Sequence, residues 1–312
     1  MNNNLVVLVI VNWKNYKMTL ECVESIRKNT DYNNYRIILV DNGYEVSDNS
    51  QENLFELCDD VLVFEKNMGY TIATNTGWEY AIKKYDPLYI CPVDNDIIIE
   101  QKEWLSILVR EMNFFPECGI GTGKHLFKDG RLQQPWYPIP EMPYQNDIGK
   151  YDFVKIVPYF SSPSPIIRVD AIRDVGYYDE SFFYGPNDQD YCRRMNNKGW
   201  KCLYIGVSWK FHLGSTTGLI KDGSKDFLYG EQCYGMLLYS YRYKEERIKM
   251  ILSQFVRVFV TRKDITKDHS WNNLYWHNNT KKRFLMFYNS LIRARKDHHT
   301  IIRNNYEYKV LK

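Results

Sequence analysis

The chain has 312 residues, with 41 Lys and Arg against 38 Asp and Glu, 26 tyrosines, 44% hydrophobic and 25% charged residues. Those proportions describe a folded globular protein and exclude a disordered or fibrous one; the length suits one large α/β domain, or an ordinary domain with an appendage. The net charge of +3 averages two parts, because residues 1–230 carry 24 Lys and Arg against 31 Asp and Glu, whereas residues 231–312 carry 17 against 7.

The apolar run at residues 5–11 is far short of a membrane span. It has neither a basic leader nor a small-residue cleavage site, so a signal peptide is not expected. Seven scattered cysteines without a CxxC pair predict neither a disulfide framework nor a zinc ribbon, and point to a reducing cytoplasm.

In chain order, residues 5–11 read as a strand buried on both faces, and Leu20, Val23 and Ile26 fall at helical spacing after it. Residues 36–40 form a second strand ending at Asp41-Asn42-Gly43. Residues 61–64 form a third, followed by Asn67-Met68-Gly69 and a helical stretch over 71–84. Residues 88–93 form a fourth, stopping at Asp94-Asn95-Asp96. This alternation predicts a doubly wound, mainly parallel sheet, whose ligands gather at the carboxyl ends of its strands, where Asp41, Asn67 and Asp94 all lie. Residues 131–165 hold seven prolines and read as a long loop region. A short helix over 187–198 closes at Gly199. A strand over 203–207 leads to Trp209-Lys210-Phe211-His212. Long basic aromatic helices follow, over 246–260 and 282–296. The predicted division is 1–230 and 231–312.

Three constellations carry candidate chemistry. Asp94 and Asp96 project to one side of an extended segment, where paired carboxylates repel unless a cation such as Mg²⁺ or Mn²⁺ sits between them; a polar turn is the plain alternative. Asp188, beside the apolar Phe182-Phe183-Tyr184, could act as a general base with a raised pKa, or simply cap its helix. His212, followed by Gly214, Ser215 and Thr216, could complete a metal site or be structural. No GxGxxG follows the first strand, and neither GxxxxGK[ST] nor GxSxG occurs, which weighs against dehydrogenase, P-loop and α/β-hydrolase readings. The glycines at 119, 121 and 123 read as structural.

Taken in order, these pieces resemble the family 2 glycosyltransferases, inverting enzymes of the GT-A fold, over roughly residues 5–216. The pieces are residues 9–13 (VIVNW), 40–43 (VDNG), 67–70 (NMGY) with 74–77 (TNTG), and 94–96 (DND), then 175–183 (VGYYDESFF), 188–190 (DQD) and 212–215 (HLGS). The closest flavour is that of rhamnosyltransferase-like enzymes of bacterial surface polysaccharides. The resemblance implies a Rossmann-like mixed sheet with a helical C-terminal extension. It implies that Val11, Asn12, Asp41, Asn67, Gly69 and Asp94 line a nucleotide site, that Asp96 and His212 hold Mn²⁺ or Mg²⁺, and that Asp188 is the catalytic base. Asp190 is its fallback, and Arg168 and Asn187 border the sugar or acceptor. The family usually has Glu where Asn187 stands, which bears on acceptor recognition more than on catalysis.

The expected activity is transfer of a sugar from a UDP- or dTDP-linked donor to a hydroxyl of a glycan or lipid-linked oligosaccharide. A non-catalytic nucleotide- or glycan-binding module, or a polyanion-binding protein using the basic tail, stays open as an alternative. Trp271, Tyr275, Trp276, Phe284, Phe287 and Tyr288 interleave with Lys281, Lys282, Arg283, Arg293, Arg295 and Lys296. Such helices suit an anionic membrane surface, and so a cytoplasmic protein held at the inner face of the membrane; packing on the catalytic domain or in a homodimer is the alternative. No recognition motif supports nucleic-acid binding.

Overall fold

The computed structural model describes residues 4–44, 49–133, 149–183, 185–214, 224–243, 251–252 and 280–312. β-branched runs form the centre of a ten-stranded sheet. The elements up to the first acidic strand end are β1 (Val6–Asn12), α1 (Tyr16–Lys28), β2 (Tyr35–Asn42), α2 (Asn49–Leu57), β3 (Asp60–Phe64), α3 (Tyr70–Tyr85) and β4 (Tyr89–Asp94). Next come β5 (Ile97–Ile98), α4 (Trp104–Phe114), β6 (Cys118–Leu126), β7 (Val154–Val157), β8 (Pro165–Arg168), α5 (Val169–Val175), α6 (Asn187–Asn197) and β9 (Lys201–His212). The last are α7 (Ser224–Arg242), α8 (Thr280–Asp297) and β10 (Lys309–Val310).

The sheet runs β10-β3-β2-β1-β4-β8-β6-β9-β5, with β7 on β9. β3, β2, β1 and β4 are mutually parallel, as are β6 and β9, and β8 lies antiparallel between β4 and β6. The architecture is therefore mixed α/β with a largely parallel centre, as expected. The period of two along β1 explains its cover on both faces: Val6, Leu8 and Ile10 join one apolar cluster with α1 and α4, and Val7 and Val9 join the other with α3 and α5. α3 lies so close to the sheet that a Cβ on Gly77 would stand 2.4 Å from Val9 Cγ1. Gly123 is similarly needed where the register of β6 and β9 shifts, since a Cβ there would meet the Ser208 carbonyl oxygen at 2.7 Å. The glycine-rich strip at 119–123 thus serves close packing.

Three expectations change. The proline-rich region contains β7, and Leu126 bridges Leu132 in a short hairpin; prolines do not bar a strand whose partner supplies the remaining bonds. β9 reaches from Lys201 to His212, because β6 pairs along its length. The chain also does not divide once near Gly230. One compact unit comprises residues 1–178, 188–213 and 305–312, and the other 179–187 and 214–304, since the last residues return to pair with β3.

In the second unit α7 packs on α8 through Tyr234, Leu237, Leu238, Tyr239, Phe287 and Ala294, with Phe182. Asp179 pairs with Arg242 and accepts the Ile302 N–H, and Glu180 accepts from Arg303 and from the Asn304 N–H. These two acids are therefore anchors of the unit. The expectations for Ser215, Thr216, Trp271, Tyr275, Trp276 and most of 246–260 lie outside the described residues, as do the side chains of Lys282 and Arg283.

Candidate active site

The parallel strands place their polar ends together. β4 delivers Asp94, and β5 pairs antiparallel with β9 so that Ile97 stands opposite His212. That register sets Asp96 beside His212: the Leu213 N–H donates to the Asp96 carbonyl at 3.0 Å, and His212 Nε2 lies 3.3 Å from Asp96 Oδ1. Ligand atoms of Asp94, Asp96 and His212 all lie within 4.8 Å of one another. Asp94 Oδ1 is buried and makes no hydrogen bond among the described residues. Burial first, and then the Asp96 charge, push the Asp94 carboxyl up to about 7, against the pull of His212 and the Tyr70 hydroxyl. Burial works to lower His212, yet the Asp96 and Asp94 charges lift it above its ordinary value. An orphaned carboxylate oxygen among two acids and an imidazole is a donor set that suits Mn²⁺ or Mg²⁺.

Asp188 sits in the first turn of α6. Its Oδ2 accepts from Ser161 Oγ at 2.6 Å and from the Ser162 N–H at 2.7 Å, and its Oδ1 from the Gln189 N–H at 2.8 Å. Burial raises its pKa, and these bonds oppose the rise by favouring the carboxylate. The 161–164 segment joins base and acidic cluster, because the Asp94 N–H donates to the Pro163 carbonyl at 2.8 Å. Ser162 Oγ is fixed in turn by Thr122 Oγ1 at 2.8 Å, and Ser164 Oγ stands 2.9 Å from His125 Nε2.

The nucleotide-site candidates form a third group. Asp41 is fully buried and accepts from Asn12 Nδ2 at 3.0 Å and from the Tyr16 hydroxyl at 2.8 Å. Val11 is half-buried and pairs in register with Val40 and Asp94. Asn67 accepts the Gly69 N–H at 2.8 Å, and Asn42 clasps this loop through the Met68 N–H at 2.8 Å and Asn67 Oδ1 at 3.0 Å. Gly69, at φ 91, is the residue that caps α3 and needs glycine's freedom there.

Arg168 is not part of the assembly. It stands opposite Tyr89, about 16 Å along β4 from Asp94, where it donates to the Met112 and Cys118 carbonyls at 2.6 and 3.3 Å. Asp190 is buried in an ion pair with Arg194 at 3.0 Å, so it stabilises α6. Asn187 opens α6 and donates its N–H to the Gly185 carbonyl at 2.7 Å. Sequence reasoning missed Tyr16, Asn42, Tyr70 and Gln133. Asn42 stood in the Asp41-Asn42-Gly43 turn, but Gln133 lies in the proline-rich stretch, with no local signal.

The mixed sheet, with its acidic cluster at the strand ends, is that of the GT-A fold. The profile of glycosyl transferase family 2 matches residues 7–176, and the chain belongs to that family. The O-antigen biosynthesis protein RfbC of Myxococcus xanthus is 23% identical over 210 residues, which are 61% of this chain but 16% of that protein. The chain thus spans about a sixth of its curated relative. Among solved structures, S. aureus TarS 1-349 superposes with a TM-score of 0.53 at 14% identity, covering 93% of this chain and 80% of that one. The Pyrobaculum calidifontis mannosyltransferase PcManGT, solved with GDP-Man and Mn²⁺, gives a TM-score of 0.53 at 11% identity, covering 94% and 75%. These two likenesses support the fold alone.

Proposed function

We propose that the chain is a metal-dependent, inverting glycosyltransferase that moves a hexosyl or deoxyhexosyl group from a UDP- or dTDP-linked donor to a hydroxyl of a glycan or lipid-linked acceptor. Surface-polysaccharide synthesis is the setting, in keeping with the name of the Myxococcus relative. The observation that carries the reading is the cluster of Asp94, Asp96 and His212, in which the buried Oδ1 of Asp94 makes no hydrogen bond among the described residues. Asp94, Asp96 and His212 would hold a divalent ion, which supplies Lewis-acid stabilisation of the departing diphosphate. The fold neighbour solved with GDP-Man and Mn²⁺ is in keeping with that chemistry.

Asp188 then takes the proton of the acceptor hydroxyl as its oxygen attacks the anomeric carbon from the face opposite the leaving group. The carbon–oxygen bond to the diphosphate breaks in the same displacement, and the centre inverts. Ser161 and the Ser162 N–H favour the carboxylate form of Asp188 against the effect of burial, and aim it. Asn12, Asp41, Asn67 and Gly69 receive the nucleotide.

The test is nucleoside-diphosphate release from a donor panel with Mn²⁺, lost in D96A and D188A. A wild-type protein that binds UDP or dTDP but turns over no donor with any acceptor would be a binding module. If neither nucleotide raises its melting temperature, the reading fails.

The basic tail would hold the protein at an anionic membrane. α8 exposes Phe284, Leu285, Tyr288 and Ile292 on one face, with exposed Lys281, Arg295 and Lys296 at its ends. No described helix is long and apolar enough to cross a membrane. Flotation with phosphatidylserine-containing vesicles should be lost when these four residues become Ser; dimerisation by light scattering, with no flotation, would assign the face to a second copy.

A further inference from the structure

We propose that Gln133 fixes the tautomer of His212 and thereby presents Nε2 as a bare lone pair to the divalent ion. The inference rests on the metal site proposed above and adds a positioning residue to it. Gln133 is set by a hairpin at the end of β6: Phe127 and Arg131 close the turn with a 2.8 Å bond, Leu126 bridges Leu132, and the Gln133 N–H donates to the His125 carbonyl at 2.9 Å. The side chain is 9% exposed and meets His212 twice. Its Nε2 lies 2.9 Å from the His212 backbone carbonyl, and its Oε1 lies 2.7 Å from His212 Nδ1.

The two contacts settle the proton positions together. A backbone carbonyl only accepts, so the amide must turn its NH₂ toward it. The amide oxygen then faces Nδ1, and an oxygen only accepts, so Nδ1 must carry hydrogen. In the neutral imidazole the proton is therefore absent from Nε2, the nitrogen that points at Asp96. Without Gln133 the ring could rotate or place its proton on Nε2, and either change removes a ligand. Metal-ligating histidines are generally oriented by such a partner, whose loss costs about 10–100-fold in metal affinity.

The test uses the full chain and the metal alone. Mn²⁺ affinity is read from the electron paramagnetic resonance of the free ion, and Mg²⁺ affinity by competition. Q133L should weaken Mn²⁺ by about 10-fold or more and Mg²⁺ much less, because Mg²⁺ relies on oxygen ligands. Q133E keeps an acceptor for Nδ1–H and should hold Mn²⁺ at least as tightly as the wild type. Equal losses for both ions, or a Q133L affinity within about twofold of wild type, would overturn the inference while leaving the metal site in place. Mn²⁺ binding indifferent to D96A and H212N would remove the metal reading and this inference with it. Should Q133L fail to fold, ¹⁵N-histidine spectra of the wild type at alkaline pH, assigned by H212N, read the tautomer directly: Nδ1–H is expected, and Nε2–H would refute the proposal.

Discussion

Asp60, at the start of β3, and Asp94, at the end of β4, are carboxylates of one sheet in opposite circumstances. Asp60 is fully buried and accepts from the Tyr80 hydroxyl at 2.9 Å, from Lys84 Nζ at 2.5 Å and from the Tyr85 hydroxyl. Asp94 keeps a buried oxygen without a hydrogen bond among the described residues, next to a second carboxylate. α3 explains both, since its last turns carry Tyr80, Lys84 and Tyr85 to Asp60 and its first residue, Tyr70, stands at Asp94. The fold can satisfy a buried acid with one helix, so an acid left bare marks a place kept for something else.

The difference can be broken from either side. The largest expected effect is on turnover: D94N and D96N should each reduce sugar transfer by about 10³-fold or more, measured as nucleoside-diphosphate release, with no loss of melting temperature in metal-free buffer. D60N should do the reverse. It weakens three bonds to a fully buried carboxylate, one of them from the half-exposed Lys84, and should cost about 3 kcal/mol by urea unfolding, while the folded fraction retains its turnover at low temperature.

A pH profile of stability sharpens the contrast. Folded Asp94 titrates near 7 against an ordinary value of 3.8, so between those values the native state holds a proton that the unfolded chain has released. Its contribution therefore falls as pH rises through that window and is flat above it. Metal-free wild type should lose melting temperature relative to D94N between about pH 4 and 7, and Mn²⁺ at pH 7.5 should close the gap. A gap that widens toward low pH would contradict the assignment. The smallest effect is expected of Y85F, which removes one of the three donors to Asp60 and should cost about 1.5–3 kcal/mol by urea unfolding with the kinetics unaltered.

Much of this contrast was legible at the level of chain order. β-branched runs ending in Asp41, Asn67 and Asp94 located the candidate edge of the sheet, because strand direction and strand end are local properties. His212 and Asp188 were reached through motif order, since nothing near them in the chain reveals that Asp96 and Ser162 are their neighbours. Arg168 was misplaced by that route: it lies near the Ser161–Ser164 segment in sequence, but antiparallel pairing carries it to the opposite end of β4. Gln133 was invisible because its role depends on a hairpin bringing it to a histidine 79 residues away. The single division near Gly230 failed for the same reason, as composition along a chain cannot register a segment that returns.

That returning segment has its own consequence. β10 lies antiparallel on β3, with Lys309 opposite Val63 and Val310 opposite Leu62, and the Leu311 N–H donates to the Val61 carbonyl at 2.9 Å. Its few residues act as a stopper on a sheet that would otherwise offer a naked, apolar margin to other molecules. A truncation at residue 230, the obvious way to isolate the acidic portion, would pull that stopper. The shortened protein should self-associate through β3, and an internal deletion that keeps 305–312 is the safer way to separate the two portions.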